Sequence, residues 1–494
     1  MKKIVSLLLI VVMLMCATLL CACASNDTDT DDTDTNNNYE PNTPQTPNEE
    51  NKKPNSNNNE TNGKKCTSHK YENNICTQCN CSRWNGELST AWYSAVENEL
   101  VITKAEELAG IAQLVKSGTN FNGVTVKLGA DIDLDNKEWT PIGDYNSNDK
   151  IAFEGTFDGS GHTITNLKMT STDNAYIGLF GYAAGHIKNI NLTNININLD
   201  GTDYLGIGTL VGRCYADVTD CSASGKITAK ISSDCDIGGL IGYLHSYTTA
   251  KNSHSDVKIN AATLSTGEKE YFTLNIGGLI GHLYGSDSVI KCFSNGDITA
   301  TANEAFGYYT VGGLIGTIKQ NTAITIQQCY ATSSIEFTAD GDKSKESPYN
   351  CTGNLGGLLG STVGSQTTVT QCYASGNITA SNKYHMWNES PKSSLISGAL
   401  IAKIDSYSSV NNCFAIGNIT LLSDGKANAN HCSEYSKNSF YYSGQTIVAN
   451  DISNGGASAV PNLTDFYGSA LYNNRLKWDS SAWNYKNGDL PTLK

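Results

Sequence analysis

The sequence predicts an all-β protein whose main body is a right-handed parallel β-helix, a solenoid with a short N-terminal capping helix and a disordered tether before it. A six-residue motif, typified by Ile237-Gly-Gly-Leu-Ile-Gly242, recurs along the chain, and its copies at Ile207 and Ile237 start 30 residues apart. Segments between the copies alternate Ile, Val and Leu with Thr, Ser and Asn, and none can bury its apolar face alone. Stacked coils bury these faces, whereas 30 residues are too few for a four-stranded propeller blade.

The motif marks out the organisation of the folded part. Its copies start at Ile177, Ile207, Ile237, Ile276, Val311, Leu355 and, in an eroded form, Ile396. The copies differ mainly in the length of the stretch that follows them, which is typical of a solenoid with a fixed core and variable connections. We therefore assign 171–440 to the repeats, 84–170 to a β-helix head module and 441–494 to a C-terminal cap.

Two segments are predicted to cover the open ends of the solenoid. Thr103 and Glu106 have capping-box spacing and open an apolar periodicity, which predicts a helix over Lys104–Lys116. At the other end, the aromatic segment Trp478–Leu493 follows the last repeat. Unpaired strand edges need such covers, so we expect a cap at each end.

A second signature follows the motif and carries cysteine at one position of most repeats. Ile190 and Ser253 take this position in the first and third repeats, so we expect a small, buried, inward-pointing site. In-register side chains point inward in parallel, which is poor disulfide geometry, so we expect free thiols. The column comprises Cys221, Cys292, Cys329, Cys372 and Cys413. The sequence leaves open the pairing of Cys81, Cys214, Cys235, Cys351 and Cys432.

The first residues predict export and a membrane anchor. Residues 1–22 combine a short basic start with an apolar run, which is typical of a signal peptide. The run ends in Leu20-Cys-Ala-Cys23, which resembles a bacterial lipobox and makes Cys23 the predicted lipidation site; an ordinary signal peptide without lipid is the alternative. Residues 23–64 are rich in Asn, Thr, Asp and Pro and predict a disordered tether from the outer face of the cell membrane.

A small Cys/His module is predicted at 65–83. The four candidate ligands for a structural zinc ion are Cys66, His69, Cys76 and Cys79. Two closely spaced pairs on one hairpin can close a tetrahedral zinc site, and two small disulfides are the alternative. The segment resembles short Cys/His modules of surface proteins from anaerobic Gram-positive bacteria.

The repeats resemble the GLUG motif of bacterial cell-surface proteins, which also occurs in the non-catalytic region of immunoglobulin A1 protease-type proteins. The resemblance rests on copies such as Ile276-Gly-Gly-Leu-Ile-Gly281 followed by Lys291-Cys-Phe-Ser-Asn-Gly-Asp-Ile298. The head segment resembles the unit that precedes such repeats. The resemblance implies a surface β-helix but no particular ligand.

No catalytic constellation is recognisable in the sequence, so we expect no enzyme. None of the eight histidines is followed by Glu, which excludes the His-Glu-x-x-His zinc motif, and no Gly-x-Ser-x-Gly elbow is present. Acidic residues are scattered through the repeats without a basic partner, which disfavours a polysaccharide-active β-helix enzyme. Asp131, Asp133 and Asp135 alternate along one strand, where a cation site is the alternative to a polar strand face.

Binding is the predicted function. A formal net charge of −14 and the lack of long basic runs exclude nucleic acid as a partner. The insertion at 381–394 carries the ligand-binding candidates Tyr384, His385 and Trp387, since exposed aromatics stack on sugars or fill a partner's pocket. We expect an adhesin-like module for host or cell-wall glycan or protein, with an envelope spacer or scaffold as the alternative.

Overall fold

The computed structural model describes the chain from Tyr71 onward, with short gaps. The described residues are 71–72, 75–77 and 83–494, except 146–149, 171–172, 202–203, 246, 265–270, 286–287, 304–305, 320–322, 341–350, 365, 384–393, 424 and 487. They belong to one compact unit, Gly63–Lys494. Most of its regular structure lies in four long parallel sheets, which confirms the predicted all-β parallel β-helix.

Each coil of the repeats contributes to four sheets, numbered 1 to 4 in the order in which the chain visits them. In the second repeat the strands are Gly206–Gly208, Val211–Cys214, Asp217–Thr219 and Ser222–Ile231. The two halves of the motif form sheets 1 and 2, and equivalent residues pair between coils: Ile207 with Ile237 and Val211 with Ile241. The corner between these sheets is tight, because a Cβ on Gly238 would lie 1.8 Å from the carbonyl oxygen of Ile241. Glycine is therefore required there.

Sheets 1 and 2 are formed by the motif and its neighbours. The nine strands of sheet 1 are Tyr176–Ile177, Gly206–Gly208, Cys235–Gly238, Tyr271–Gly277, Phe306–Gly312, Cys351–Gly356, Ser394–Gly398, Lys426–Asn430 and Asp451–Ser453. The seven strands of sheet 2 are Phe180–Ala183, Val211–Cys214, Ile241–His245, Ile280–Tyr284, Ile315–Lys319, Leu359–Val363 and Ile401–Lys403.

Sheets 3 and 4 also include the strands of the head segment. The eleven strands of sheet 3 are Glu99–Ile102, Thr125–Leu128, Thr156–Asp158, His186–Lys188, Asp217–Thr219, Thr249–Lys251, Ser288–Ile290, Ala323–Gln327, Gln366–Thr370, Ser409–Asn411 and Ser436–Lys437. The seventeen strands of sheet 4 are Ile132–Asp133, Thr163–Thr165, Lys168–Met169, Asn191–Gly201, Ser222–Ile231, His254–Thr263, Phe293–Ser294, Ile298–Thr301, Tyr330–Ala331, Ile335–Asp340, Tyr373–Ala374, Ile378–Lys383, Phe414–Ala415, Ile419–Ser423, Phe440–Tyr442, Ile447–Val448 and Ser458–Val460.

The remaining elements are short. Three antiparallel pairs join Tyr71–Glu72 to Ile75–Cys76, Asp144–Tyr145 to Lys150–Ile151, and Trp483–Asn484 to Thr492–Leu493. The helices are an α-helix at Ala105–Lys116, a 3₁₀ turn at Leu463–Tyr467 and a π-helical turn at Leu471–Leu476. Within the described residues, no helix combines the length and the apolar character needed to cross a membrane.

The seventh copy of the motif starts one residue later than predicted. Leu355 pairs with Ser397 and Leu359 pairs with Ile401, so the copy begins at Ser397 and not at Ile396. Because side chains alternate between the two faces of a strand, this register buries Ser397 and leaves Ile396 half-buried on the outside. The prediction placed the apolar Ile396 at the first position of the motif because most other copies start with Ile. The register is instead set by pairing with the neighbouring strand.

The predicted helix is present as α1, Ala105–Lys116, with a different capping residue. Glu107, and not Glu106, accepts hydrogen bonds from the backbone N–H groups of Thr103 and Lys104, at 2.8 and 3.1 Å. These bonds satisfy the two N–H groups that directly precede the helix. The buried face of α1, centred on Leu108 and Ile111, packs into the same apolar core as the first strands of the solenoid.

The column of free thiols is confirmed, and its hydrogen bonds explain its composition. All five cysteines are free and buried. The backbone N–H of Cys329 donates to Sγ of Cys372 at 3.3 Å, and that of Cys221 donates to Oγ of Ser253 at 3.1 Å. A small side chain with an acceptor atom therefore suits most coils. Burial raises the pKa of the Cys221 thiol to about 12, which keeps it protonated and unreactive. Cys214, Cys235, Cys351 and Cys432 are likewise buried and form no disulfide bond.

A column of stacked rings, here called the aromatic ladder, lies on the outer face of sheet 4 next to the thiols. It comprises His254, Phe293, Tyr330, Tyr373 and Phe414, with neighbouring ring centroids 4.4–4.9 Å apart and ring planes within 6° of parallel. Each ring occupies the equivalent position of its coil, so the ladder follows the solenoid axis.

The C-terminal segment, 463–494, packs along the side of the solenoid. Trp478 donates its indole N–H to the carbonyl oxygen of Asn412 at 2.6 Å, and the hydroxyl of Tyr373 donates to the carbonyl oxygen of Pro491 at 2.8 Å. Phe466, Leu471, Tyr472, Trp478 and Trp483 form one apolar cluster with the ladder. The segment that we expected to cover the end of the solenoid thus covers a flank several coils earlier, where the rings of the ladder form an apolar surface.

Candidate functional site

Most of the predicted site residues lie outside the described part of the chain. These are Cys23, Cys66, His69, Cys79, Tyr384, His385 and Trp387. Of Cys76, the structure describes only the backbone, in the strand Ile75–Cys76. Lipidation, structural zinc and ligand binding at these positions remain predictions. Tyr384, His385 and Trp387 fall in the connection between the sheet 4 strand Ile378–Lys383 and the sheet 1 strand Ser394–Gly398.

The most distinctive polar surface is a band of aromatic and cationic side chains on the outer face of sheet 2. We call it the tyrosine band and define it as Tyr182, Arg213, Tyr215, Tyr243, His245, His282 and Tyr284. Two outward columns form it, since Tyr182, Arg213, Tyr243 and His282 pair in register along one line. The second column stacks Tyr215 on His245 and His245 on Tyr284, with centroids 4.4 and 4.9 Å apart. The band covers four coils and then ends, because Thr317 follows His282 in register.

Arg213 lies at the centre of the band. Its guanidinium carbon is 4.0 Å from the ring centroid of Tyr145 and 5.0 Å from that of Tyr243. Its terminal nitrogens donate to the hydroxyls of Tyr176 and Tyr215 at 2.8 and 2.9 Å. No carboxylate forms a salt bridge with it among the described residues. Cation–π contacts and tyrosine hydroxyls therefore hold this charge.

A depression of about 280 Å³ opens on the sheet 1 side of the band. Asp236 organises its wall, accepting a hydrogen bond from the side-chain amide of Asn275 at 2.7 Å and lying 3.0 Å from Nδ1 of His282. Nε2 of His282 is buried and has no hydrogen-bond partner among the described residues. The carboxylate, the imidazole and Arg213 form a polar rim around the aromatic rings.

A longer furrow of about 490 Å³ lies on the opposite side of the band, at the corner between sheets 2 and 3. Tyr215 belongs to both the band and the wall of this furrow. Its lining residues come from four successive strands of sheet 3, at Thr125, Thr156, His186 and Asp217, and from the corners of five successive coils. The furrow therefore runs along the solenoid axis.

The protonation states of the band favour binding over acid–base chemistry. Burial raises the pKa of Tyr176, Tyr182 and Tyr243, so their hydroxyls stay protonated at neutral pH. Burial, reinforced by the charge of Arg213 and by His282, lowers the pKa of His245 to about 4, so this imidazole is neutral. The band thus offers rings, hydroxyl groups and one fixed positive charge.

The acidic triplet at the first strand of sheet 4 consists of engaged carboxylates. The partners of Asp131, Asp133 and Asp135 are, in that order, His162, Asn166 and Arg83, at 3.2, 2.7 and 2.7 Å. Among the described residues, no group of three or more His, Cys, Asp and Glu side chains has the arrangement of a metal site. Only Asp133 lies in the strand Ile132–Asp133; Asp131 precedes it, and Asp135 follows it with a φ of +51°.

Sequence reasoning missed the tyrosine band although a signal was present. Tyr182, Arg213, Tyr243 and His282 each follow the glycine that closes a copy of the motif. Because strands alternate their faces, this position points outward, and four large side chains there mark one continuous surface.

Three sequence relatives match parts of the chain, and no protein-family model matches it. A protein of Evansella cellulosilytica described as a Gly-rich membrane protein is 35% identical over 129 residues, which is 26% of this chain and 14% of that one. Halomucin of Haloquadratum walsbyi is 30% identical over 183 residues, 35% of this chain and 2% of that one. An immunoglobulin A1 protease of Streptococcus pneumoniae is 26% identical over 240 residues, 45% of this chain and 11% of that one. The chain thus spans less than a sixth of the length of these relatives.

Two solved structures are similar at low identity. One, from Bacteroides ovatus, is assigned as an immunoglobulin A1 protease; it is 20% identical with a TM-score of 0.47, over 80% of this chain and 92% of that one. The other, an IgA1 protease, is 19% identical with a TM-score of 0.35, over 61% of this chain and 21% of that one. The similarity of the chain to immunoglobulin A1 protease-type proteins is distant and partial, and it rests on the Streptococcus pneumoniae relative.

Proposed function

We propose that the chain is a non-enzymatic, lipid-anchored cell-surface protein that binds a glycan or a protein through the tyrosine band. The observation that carries the proposal is a difference in exposure. The C-terminal segment packs on Tyr330, Tyr373 and Phe414 of the ladder and buries them. In the band, only Tyr182 and His282 are buried, and the other rings stay partly exposed. Half-exposed tyrosines with oriented hydroxyls are typical of binding surfaces, because each ring supplies apolar area at low conformational cost.

The relatives support a surface location. One is described as a membrane protein, another is a halomucin and the third is an immunoglobulin A1 protease. We extend this to a lipid anchor at Cys23, to repeats of the GLUG type and to a structural zinc ion held by Cys66, His69, Cys76 and Cys79. Replacing Cys23 by Ala should release the chain from the membrane fraction into the medium; retention of that variant on cells would contradict the anchor.

A binding role is favoured over proteolysis or polysaccharide cleavage. No histidine in the sequence is followed by Glu, as a His-Glu-x-x-His protease requires. The tyrosines of the band keep their protons and Arg213 is held by hydroxyls, an arrangement that suits recognition.

The test is a screen of the full chain against glycan arrays and extracellular proteins. Replacing both Tyr215 and Tyr243 by Ala should abolish binding of any hit. Tyr407→Ala is the matched control, because Tyr407 is 77% exposed and lies outside the band. Trp387→Ala tests the insertion between sheets 4 and 1 in the same assay.

Three outcomes separate the alternatives. Loss of binding in the band variant alone supports the proposal, and loss in the Trp387 variant alone moves the site to the insertion. A folded protein that binds none of the glycans or matrix proteins would leave the spacer or scaffold role.

A further inference from the structure

The furrow between sheets 2 and 3 has a geometry that the tyrosine band alone does not explain. Its floor carries Thr125, Thr156, His186 and Asp217, which pair in register as the first outward residues of consecutive sheet 3 strands. A second depression of about 320 Å³ continues it across the face of sheet 3 and shares Thr156, His186 and Asp217. The floor thus repeats one position coil after coil.

The dimensions suit a polymer. The lining includes Thr125 at one end and Thr248 at the other, so the furrow crosses four strands and reaches the corner before a fifth, which makes five coils. Four spacings of about 4.8 Å give a length of roughly 19 Å. At the corner between sheets 2 and 3, Gly155 lines the furrow and has no side chain that could fill it. A Cβ there would lie 2.7 Å from two backbone carbonyl oxygens, so a larger residue does not fit. A chain of small repeating units can lie along it.

The walls of the furrow present two tyrosines. Tyr215 is held by its stack on His245 and by Arg213. Tyr247 is 83% exposed and has a φ of +60°, a conformation that is uncommon for a large side chain. An exposed ring at the edge of a furrow can serve as a stacking platform for a ligand.

The charges of the furrow exclude acidic polymers. Of its described lining residues, none is Lys or Arg, whereas Glu154 and Asp217 contribute carboxylates. Asn120 donates to Glu154 at 2.8 Å, and Nδ1 of His186 lies 3.3 Å from Asp217. Lys188, in the adjoining depression, is paired with Asp158 at 3.3 Å. Amide, hydroxyl and engaged carboxylate groups are suited to hydroxyl-rich, uncharged ligands.

We propose that the furrow binds an uncharged linear glycan, which lies along the solenoid axis with sugar rings stacked on Tyr215 and Tyr247. This inference rests on the proposed binding function and specifies its ligand class. The aromatic rings contact the apolar faces of the sugars, while Thr156, Glu154 and Asp217 accept or donate hydrogen bonds to their hydroxyls. One sugar unit of an extended glycan is about as long as one coil spacing, so the ligand keeps register with the floor.

The experiment is calorimetric titration of the full chain with β-1,4-linked glucose and N-acetylglucosamine oligomers of increasing length. Affinity for at least one series should rise with each added unit until the oligomer fills the furrow, at about four or five units. Tyr247→Ala should weaken binding of the longest oligomer about tenfold. Tyr407→Ala, at the same corner of a later coil and 77% exposed, should bind like the natural chain.

Each outcome has a defined meaning. Binding that ignores oligomer length, or that survives Tyr247→Ala unchanged in a chain with native thermal stability, overturns the furrow as the site. Binding of polygalacturonate in place of the neutral oligomers overturns the ligand class. A protein hit in the array screen, with no oligosaccharide bound, overturns this inference and leaves the proposed binding function intact. Release of reducing sugar ends would instead overturn the non-enzymatic function.

Discussion

Two aromatic surfaces lie on the outside of the solenoid, and they differ in how far they are buried. The aromatic ladder of sheet 4 is built mainly of Phe and Tyr rings stacked nearly parallel, and Tyr373 and Phe414 are almost completely buried under the C-terminal segment. The tyrosine band of sheet 2 mixes Tyr with Arg213 and His, and most of its rings are half-exposed. The ladder is a second apolar core, whereas the band is a surface.

The chemistry of the side chains accounts for this difference. A column of Phe and Tyr faces exposed along several coils would be an extended apolar patch, which proteins cover or use for association. In the band, Arg213 donates to the hydroxyl of Tyr215 and to that of the neighbouring Tyr176, and each column contains one histidine. Polar groups at the ring edges make the partly exposed rings of the band compatible with water.

Removal of the C-terminal segment, 463–494, should produce the largest effect. The segment buries Phe466, Leu471, Trp478 and Trp483 against the ladder, and each large apolar side chain contributes about 1.5–3 kcal/mol. We expect more than about 5 kcal/mol of destabilisation, strong binding of an apolar dye and loss of the last coils to protease. If dye binding and melting temperature stay unchanged, the ladder is not a core.

The same truncation should leave the tyrosine band intact, which tests whether the band and the ladder are independent. Contacts in a solenoid are made between neighbouring coils, so the first four coils should keep their structure. Hydrogen exchange should show native protection in the strands that carry Tyr182 and Tyr243. Loss of protection throughout would mean that the two surfaces form one cooperative unit.

Arg213→Ala should have the next largest effect, now in the band. It removes two hydrogen bonds to tyrosine hydroxyls and four cation–π contacts, and we expect about 1.5–3 kcal/mol of destabilisation in chemical denaturation. Arg475→Ala is the control, since Arg475 lies 4.0 Å from the ring centroid of Phe440 and is exposed. That variant should lose less than about 1 kcal/mol. Equal losses of stability in the two variants would show that the hydrogen bonds and ring contacts of Arg213 add nothing beyond a single cation–π contact.

The interior of the fold could be predicted from the sequence, and the exterior could not. Inward residues stack on equivalent residues of the next coil, so the same side-chain type recurs and Cys329 and Cys372 stand out in the sequence. Outward residues have no such constraint, and Tyr243 is recognised only once its neighbours in space are known. The sequence also did not reveal that a further coil follows the seventh copy of the motif. In that coil, Ala429 and Asn430 pair with Ser397 and Gly398 of sheet 1, but no copy of the motif is present.

Acid should weaken the band selectively through His245. The pKa of His245 in the folded chain is about 4, below its ordinary 6.5, because burial and then Arg213 and His282 disfavour its charged form. The unfolded chain therefore binds more protons between these values, so the stabilising contribution is complete above pH 6.5 and is lost as pH falls toward 4. The natural chain should lose melting temperature relative to His245→Phe across this range. A constant difference from pH 7 to 4 would contradict the assignment.

Cys372→Ser should have the smallest effect, because the interior column already contains serine. Oγ of Ser253 and Ser439 accepts the backbone N–H of the preceding coil at 3.1 and 3.2 Å, as Sγ of Cys372 does for Cys329 at 3.3 Å. We expect less than about 1 kcal/mol for serine but about 1–3 kcal/mol for Cys372→Val, which leaves the N–H of Cys329 without an acceptor. Chemical denaturation of both variants measures the difference. A serine variant as unstable as the valine variant would show that sulfur packing, and not the acceptor, selects cysteine inside the solenoid.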